Sequence, residues 1–402
     1  MAVKGGPKIV NDGLVLCLDA HDAKSYAGEP TTNVIKNTAT WWGDGGNQTG
    51  LGSKGAVAIT DENLKYNGYD TVLWTPGTSQ NCYLDGSADI PTSETSTEWT
   101  FSAYLKYEDG STISSMSVYM YYPSSDGSSA GTVTDVGGGW YRVRRTRTGS
   151  SNYISLAGFT GISAMKKIYI SGWQLEKKQY ATPVTSPETS RSATNGWVDR
   201  SGNSNNGTLT NMIGTEVTHY RDGEVIMPVT NSYLDFDGTD NYVDLTSHSS
   251  AFDFGTGNFS IEAWVNGAVN NNYRCIFWHH YNPGFTLITT NGQSPDGAPR
   301  FWLGGTVLNG TTSILDSTWH HVLVTRSDAT VTIYIDGSQN VSNAGFSGKS
   351  ATPTTAQAAI GQYNVTSSSY PFDGKISVVR IYNKALTAAE VLSNYNATKG
   401  RF

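Results

Sequence analysis

The stretch Ser317–Asn343, STWHHVLVTRSDATVTIYIDGSQNVSN, decides the fold class. Apolar and polar residues alternate over His320–Thr325 and again over Thr330–Ile335, the period of a strand with one buried face. A turn falls near Ser327–Ala329. The Asp336-Gly337 pair then marks a tight hairpin, because both central residues of that turn need positive φ. Three consecutive antiparallel strands are the expectation. Working outward, the same period recurs over Trp99–Tyr107, Ile168–Leu175, Phe259–Val265 and Lys375–Tyr382, bounded by Gly, Ser, Asn or Asp. One segment departs from it. Thr387–Ala397 (TAAEVLSNYNA) predicts a short helix with a Thr387/Glu390 capping box and an apolar stripe of Val391, Leu392 and Tyr395.

Composition agrees with an all-β chain. Of 402 residues only 15 % are charged, while 11 % are aromatic and 44 are glycine, which excludes a disordered polyelectrolyte. The net charge of −7 gives no basic field, so nucleic acid is not an expected partner. No apolar run reaches the ~18–20 residues of a membrane span, so membrane insertion is not expected. The Gly13–Leu18 stretch, flanked by Asp12 and Asp19, is too short and too charged for a signal peptide. Synthesis in the cytoplasm without secretion is therefore expected. Cys17, Cys82 and Cys275 are odd in number and lack metal-ligand spacing, and read as reduced, buried thiols.

Leu234–Leu245 (LDFDGTDNYVDL), Phe259–Val265, Trp319–Thr325, Ile333–Gly337 and Phe372–Leu386 (FDGKISVVRIYNKAL) together resemble the laminin-G-like, concanavalin A-like lectin sandwich. Ile9–Tyr26 resembles the first strand of the same module, in the version found in virion proteins of tailed phages, especially those of cyanobacteria. In those relatives that strand runs directly into a Trp-x-Asp-x-Ser-Gly-Asn segment. Here the counterpart, Trp197–Leu209 (WVDRSGNSNNGTL), comes some 170 residues later, so an insertion is implied. Within the gap, Asn33–Trp42, Gly139–Thr148 and Ile170–Pro183 resemble carbohydrate-binding-module jelly rolls of phage tails and fibres. The resemblance implies two antiparallel β-sandwiches, the second inserted in the first. Residues 1–29 would hold an arm and the first strand, 30–190 the inserted jelly roll, and 191–402 the rest of the lectin-like sandwich. It further implies a virion structural protein of the tail, fibre or capsid exterior, oligomeric among other virion proteins and able to bind host surface polysaccharide. A purely architectural connector is the alternative; a glycan-degrading enzyme is a more remote one.

Chemistry-bearing residues are few. The paired carboxylates of a glycoside hydrolase have no counterpart motif here, so a non-enzyme is expected. The acidic run offers Asp237, Asp240 and Asn241, with Asp373 approaching from another strand. It reads either as a calcium site, which needs six to eight oxygens, or as a turn whose Asp side chains bond their own backbone. His279-His280 and His320-His321 point to opposite faces of a strand and cannot chelate in pairs. Exposed aromatic rings can stack on sugar faces. The glycan-binding candidates are Trp41, Trp42, Trp74, Tyr119 and Tyr121 in the insert, and Trp278, Tyr281 and Trp302 in the lectin-like part. Trp99, Trp140, Trp173, Trp264 and Trp319 fall inside regular strands and read as core. Arg142, Arg144, Arg145 and Arg147 read as a charged edge strand or as a docking surface for an acidic neighbour.

Overall fold

The computed structural model describes residues 8–22, 24–26, 31–32, 40–43, 58–66, 69–74, 82–85, 98–121, 128–148, 156–160, 166–177, 190–194, 196–212, 233–269, 271–280, 282–292, 294–366 and 369–402. By contact the chain divides into two compact units. One is drawn from Met1–Glu29, Ser192–His219 and Met227–Phe402, the other from Pro30–Arg191 and Tyr220–Ile226. The fold is all-β, with one short α-helix among the described residues.

In the first unit the strands are β1 (Leu14–Asp19), β2 (Thr208–Thr210), β3 (Leu234–Asp237), β4 (Tyr242–Asp244), β5 (Phe259–Gly267), β6 (Cys275–His279), β7 (Phe285–Thr289), β8 (Pro299–Leu303), β9 (Thr306–Asn309), β10 (His320–Ser327), β11 (Thr330–Ile335), β12 (Ser338–Asn343), β13 (Ala359–Ile360) and β14 (Asp373–Tyr382). One sheet runs β1-β14-β5-β10-β11-β12, with β3 also on β14; the other runs β2-β4-β13-β6-β7-β8-β9. The hairpin that opened the sequence reading is present. Asp336 and Gly337 both have positive φ, 50° and 77°, as the tight turn between β11 and β12 requires. The apolar faces of the two sheets meet in a phenylalanine core, where Phe259 packs on Phe285 at 4.8 Å and Phe277 stacks on Phe285 at 5.6 Å.

Strand β1 pairs antiparallel with β14, Leu16 opposite Ile381 and Asp19 opposite Val378. Its other edge is covered by the Trp197–Leu209 segment. The Asp199 carboxylate accepts the Cys17 N–H at 2.8 Å, while Ser201 Oγ and Asn205 Nδ2 both donate to the Val15 carbonyl. Polar side chains thus satisfy an edge whose backbone would otherwise invite another strand. Cys17 and Cys275 are buried free thiols.

Helix α1 (Ala388–Thr398) follows β14 and lies over the outer face of the first sheet. Thr387 is its N-cap, and both bonds of the Thr387/Glu390 capping box form. The expected apolar stripe does not hold. Val391, Asn394 and Thr398 are the buried positions, whereas Leu392 is 47 % exposed. The reason is polar: Asn394 faces a buried ionic cluster on the sheet beneath it.

In the second unit one sheet orders its strands as Thr132–Gly137, Trp140–Thr148, Glu98–Tyr107, Ile168–Glu176, Tyr69–Trp74 and Ala58–Tyr66. The other orders Thr40–Gly43, Cys82–Asp85, Leu156–Thr160, Ser117–Tyr121 and Ser128–Ala130. Thr31–Thr32 and Ser190–Arg191 pair as a separate antiparallel ribbon. A core that includes Trp74, Trp99, Phe101, Val118 and Ile170 is buried. The arginine-rich strand Trp140–Thr148 is interior, flanked on both sides, so the edge-strand reading is corrected. Arg142 is wholly buried and donates to Tyr104 Oη and Ser102 Oγ, both at 2.7 Å. Arg145 and Arg147 reach the backbone carbonyls of Val118 and Met120 on the facing sheet at 2.8 and 2.7 Å. These contacts tie the strand to its own sheet and to the facing one, with Arg142 buried and Arg145 and Arg147 half-buried.

Candidate functional site

Alternation on β6 to β9 splits the second sheet of the first unit into two rows of side chains. Ile360, Phe277, Leu287, Phe301 and Leu308 stand in register and point into the core. Ala359, Trp278, Thr286, Trp302 and Val307 form the adjacent register row, on the outer face. Helix α1 covers part of the outer face of the first sheet; this one instead gathers a separate aromatic cluster.

Loop residues complete that cluster. Tyr363 lies 5.8 Å from the Trp278 ring and meets Trp302 edge-on at 5.7 Å. Tyr370 meets Tyr363 at 5.3 Å and Tyr273 at 5.0 Å, and is 39 % exposed at the rim. The Arg300 guanidinium lies over the rings of Trp302 and Tyr273, at 5.5 and 5.7 Å. The Trp278 Nε1 donor is buried and finds no acceptor among the described residues. Such a group costs about 1–3 kcal/mol in lost hydration. The accessible groups are the Tyr363 and Tyr370 rings and the Arg300 guanidinium, flat faces and one cation that can orient a hydroxylated ring.

Of the eight aromatic candidates, Trp278 and Trp302 are brought together here. Both are mostly covered, with 3 % and 8 % exposure, so Tyr363 and Tyr370 form the accessible part of the platform. Tyr273, Tyr370 and Arg300 were not among the sequence candidates, and only their closeness in the fold connects them with the tryptophans. Trp74 is fully buried in the core of the second unit and presents no ring to solvent. Its Ala58–Tyr66 and Ile168–Glu176 neighbours enclose it. Trp41 and Trp42 lie on the Thr40–Gly43 strand and Tyr119 and Tyr121 on Ser117–Tyr121, but their side chains fall outside the described residues, as does Tyr281. Among the tryptophans read as core, Trp140 is buried and stacks with Tyr66 at 4.3 Å in a second hydrophobic cluster of its unit. Trp264 and Trp319 line a cleft.

The acidic run is a turn. Asp237 Oδ1 accepts the N–H groups of Thr239 at 2.8 Å and Asp240 at 3.3 Å, and Asn241 Oδ1 accepts the Asp237 N–H at 3.0 Å. Asp373, opposite Asp237 in the β3/β14 pair, ion-pairs with Arg274 at 3.2 Å. Asp237 Oδ1, Asn241 Oδ1 and Asp373 Oδ2 are thus engaged by backbone and guanidinium groups. Among the described residues no group of three or more His, Cys, Asp or Glu is placed to hold a metal ion.

A buried ionic cluster holds α1 on the first sheet. Arg380 Nη1 donates to Glu262 Oε1 at 2.7 Å, His321 Nε2 lies 3.0 Å from Glu262 Oε2, and Asn394 Nδ2 donates to the same oxygen at 3.1 Å. Burial would raise the Glu262 pKa, but Arg380 and His321 outweigh it and hold the carboxyl at about 2. His320, on the opposite strand face, sits between Asp336 and Asp316. Their hydrogen bonds raise its pKa against the desolvation that lowers it. Both histidines of the pair thus serve structural contacts.

Residues 237–392 match the family model of the concanavalin A-like lectin/glucanases superfamily. Among solved structures, domain 4 of AbnA, a GH43 extracellular arabinanase from Geobacillus stearothermophilus, in complex with arabinotriose, is similar at 21 % identity. The match covers 50 % of this chain and 94 % of that one, with a TM-score of 0.36. The Ruminococcus gnavus IT-sialidase CBM40 bound to alpha2,3 sialyllactose is similar at 14 % identity over 41 % of this chain and 96 % of that one, with a TM-score of 0.35. No curated protein matches. The matched segment 237–392 contains the whole β5–β10 scaffold of the aromatic cluster.

Proposed function

We propose that this chain is a non-catalytic glycan-binding protein, and that its binding face is the outer surface of the β6–β9 sheet. One observation carries the reading: Trp278, Trp302 and Tyr363 gather on the outer face of the sheet, away from the phenylalanine core, with Arg300 beside them. A lectin-family domain over 237–392 supports it. The proposal extends to a virion structural protein of a tailed phage, assembled with other virion proteins and turned toward host surface polysaccharide. That part is supported by the resemblance of Ile9–Tyr26 and Trp197–Leu209 to the cyanophage type of module. The nested arrangement, residues 30–190 inserted into a sandwich built from 1–29 and 191–402, belongs to the same proposal.

An array of immobilised bacterial surface polysaccharides tests the binding. The full chain is expected to bind at least one, and Tyr370→Ala and Arg300→Gln to weaken that binding about tenfold, the loss of one ring or cation contact. Binding that survives both substitutions unchanged removes this face as the site. Absence of binding to any polysaccharide favours the architectural reading, as would electron cryomicroscopy of the particle with this sheet buried against a neighbour. Release of reducing ends from a bound polysaccharide would overturn the non-catalytic part.

A further inference from the structure

A second assembly of rings lies elsewhere on the lectin-like unit, where the end of β5, the start of β10 and the residues after α1 converge. They enclose an open cleft of about 420 Å³, inside the ~300–1,000 Å³ range of small-ligand pockets. Its walls are mixed: the rings of Trp264, Trp319 and Tyr395 stand among the amide of Asn266 and the hydroxyl of Thr318. Trp264 is fixed in orientation, since its Nε1 donates to Thr398 Oγ1 at 2.9 Å. Against its indole lies the ring of Phe402, stacked at 4.3 Å with 23° between planes, and tilted on Trp319 at 4.7 Å. The adjoining Arg401 anchors this ring by donating to Asp19 Oδ2 at 2.7 Å.

The Phe402 contact shows what the slot accepts: one flat six-membered ring, face to face with an indole. A buried hydrophobic core would surround such a ring with apolar side chains. Here amide, hydroxyl and carboxylate groups border it, and Lys399 stands exposed at the rim with its Nζ over Tyr395 at 5.2 Å. A pyranose presents an apolar C–H face to an indole and hydroxyls around its edge, and fits both halves of this lining. A phenylalanine satisfies only the first. We propose that the cleft beside Trp264 is a saccharide-binding site distinct from the outer face of the β6–β9 sheet, and that Phe402 occupies its stacking surface in cis as a displaceable plug. Sugar binding here requires the Arg401–Phe402 segment to lift, so the intact chain binds weakly and removal of the plug exposes the indole.

The test is titration calorimetry of the full chain with D-galactose, D-glucose and N-acetyl-D-glucosamine. Phe402→Ala is expected to bind at least one of these about tenfold more tightly than the parent. Arg401→Gln, which frees the anchor while retaining the ring, should shift affinity in the same direction by a smaller factor and covers the case of a Phe402→Ala protein that fails to fold. The gain should persist when Tyr370→Ala and Arg300→Gln disable the outer face, and should disappear with Trp319→Ala. No gain in either variant overturns the proposal. So does a gain abolished by the outer-face substitutions. If the dipeptide acetyl-Arg-Phe-amide binds the Phe402→Ala protein while none of the sugars does, the cleft is a peptide slot and the proposal fails.

Discussion

Replacing Glu262 by glutamine is the sharpest test of how α1 is held on its sheet. Glu262 and Arg380 are 1 % and 0 % exposed, and Arg380 Nη1 lies 2.7 Å from Glu262 Oε1. After the substitution the only carboxylate near the Arg380 guanidinium among the described residues is Asp19, at 3.7 Å. Stranding one member of a buried pair costs about 3–5 kcal/mol, so Glu262→Gln should lose that much at pH 7. The pH dependence is a second readout. Burial raises the carboxyl pKa, but Arg380 and His321 reverse this and lower it from 4.5 to about 2. A depressed folded pKa means the stabilisation is complete above pH 4.5 and lost as pH falls from 4.5 toward 2. That gap corresponds to about 3 kcal/mol. Urea unfolding followed by tryptophan fluorescence at pH 7 and pH 2 measures both effects. The parent should lose about 3 kcal/mol more than the variant on acidification. The paired replacement Glu262→Leu with Arg380→Met should recover most of the loss at pH 7, because no buried charge is then left alone. A variant as stable as the parent at pH 7, or one with the same acid slope, would refute the reasoning.

Other consequences can be measured directly. Thr387→Ala removes the side-chain acceptor for the Glu390 N–H and should cost about 1 kcal/mol in urea unfolding. Gly361 has φ 84°, and a Cβ there would meet the Phe236 ring. Gly361→Ala should therefore destabilise by about 3 kcal/mol, combining left-handed strain with overpacking. NMR titration of the histidines should separate them. Desolvation lowers the pKa of both His21 and His279 to about 4, whereas the Asp336 and Asp316 contacts place His320 above 6.5. The His320 contribution to stability is accordingly complete below pH 6.5 and fades as pH rises through its raised folded pKa. A His320 midpoint at or below 6.5 contradicts the observed Asp336 pairing.

What the sequence disclosed and what it concealed divide by distance along the chain. The β11–β12 hairpin was legible because Asp336-Gly337 sets its φ angles locally. The capping box was legible because Thr387 and Glu390 are three residues apart. The stripe of α1 was misjudged because burial of Asn394 depends on Glu262, 132 residues away. The arginine strand was misjudged for the same kind of reason. Its neighbour Thr132–Gly137 is short and polar, and the carbonyls that receive Arg145 and Arg147 lie on another sheet. At the candidate site, Trp278 and Trp302 could be proposed by residue type, but nothing local connects them with Tyr363, Tyr370 and Arg300.

The energetics of these aromatic faces also bear on how such a protein could attach to a cell. A ring contact contributes about 0.5–1.5 kcal/mol beyond area burial, and association has first to overcome lost translational and rotational freedom. The outer face presents Tyr370, 39 % exposed, and the half-buried Tyr363, with Trp278 and Trp302 largely covered beside them. One such site therefore supports only weak binding of a single saccharide unit. Durable attachment follows when many copies engage a repeating polysaccharide at once, because the later contacts become intramolecular and avidity can rise by about 10²–10⁴ without new chemistry. Under the proposed virion role, the array of copies supplies what the single site lacks. On a surface sensor carrying sparse polysaccharide, the isolated chain should dissociate within seconds. The same chain clustered on a bead or particle should remain bound after washing. Tight, slow-dissociating binding by the isolated chain would contradict the weak-site estimate and point to a deeper pocket than either aromatic assembly provides.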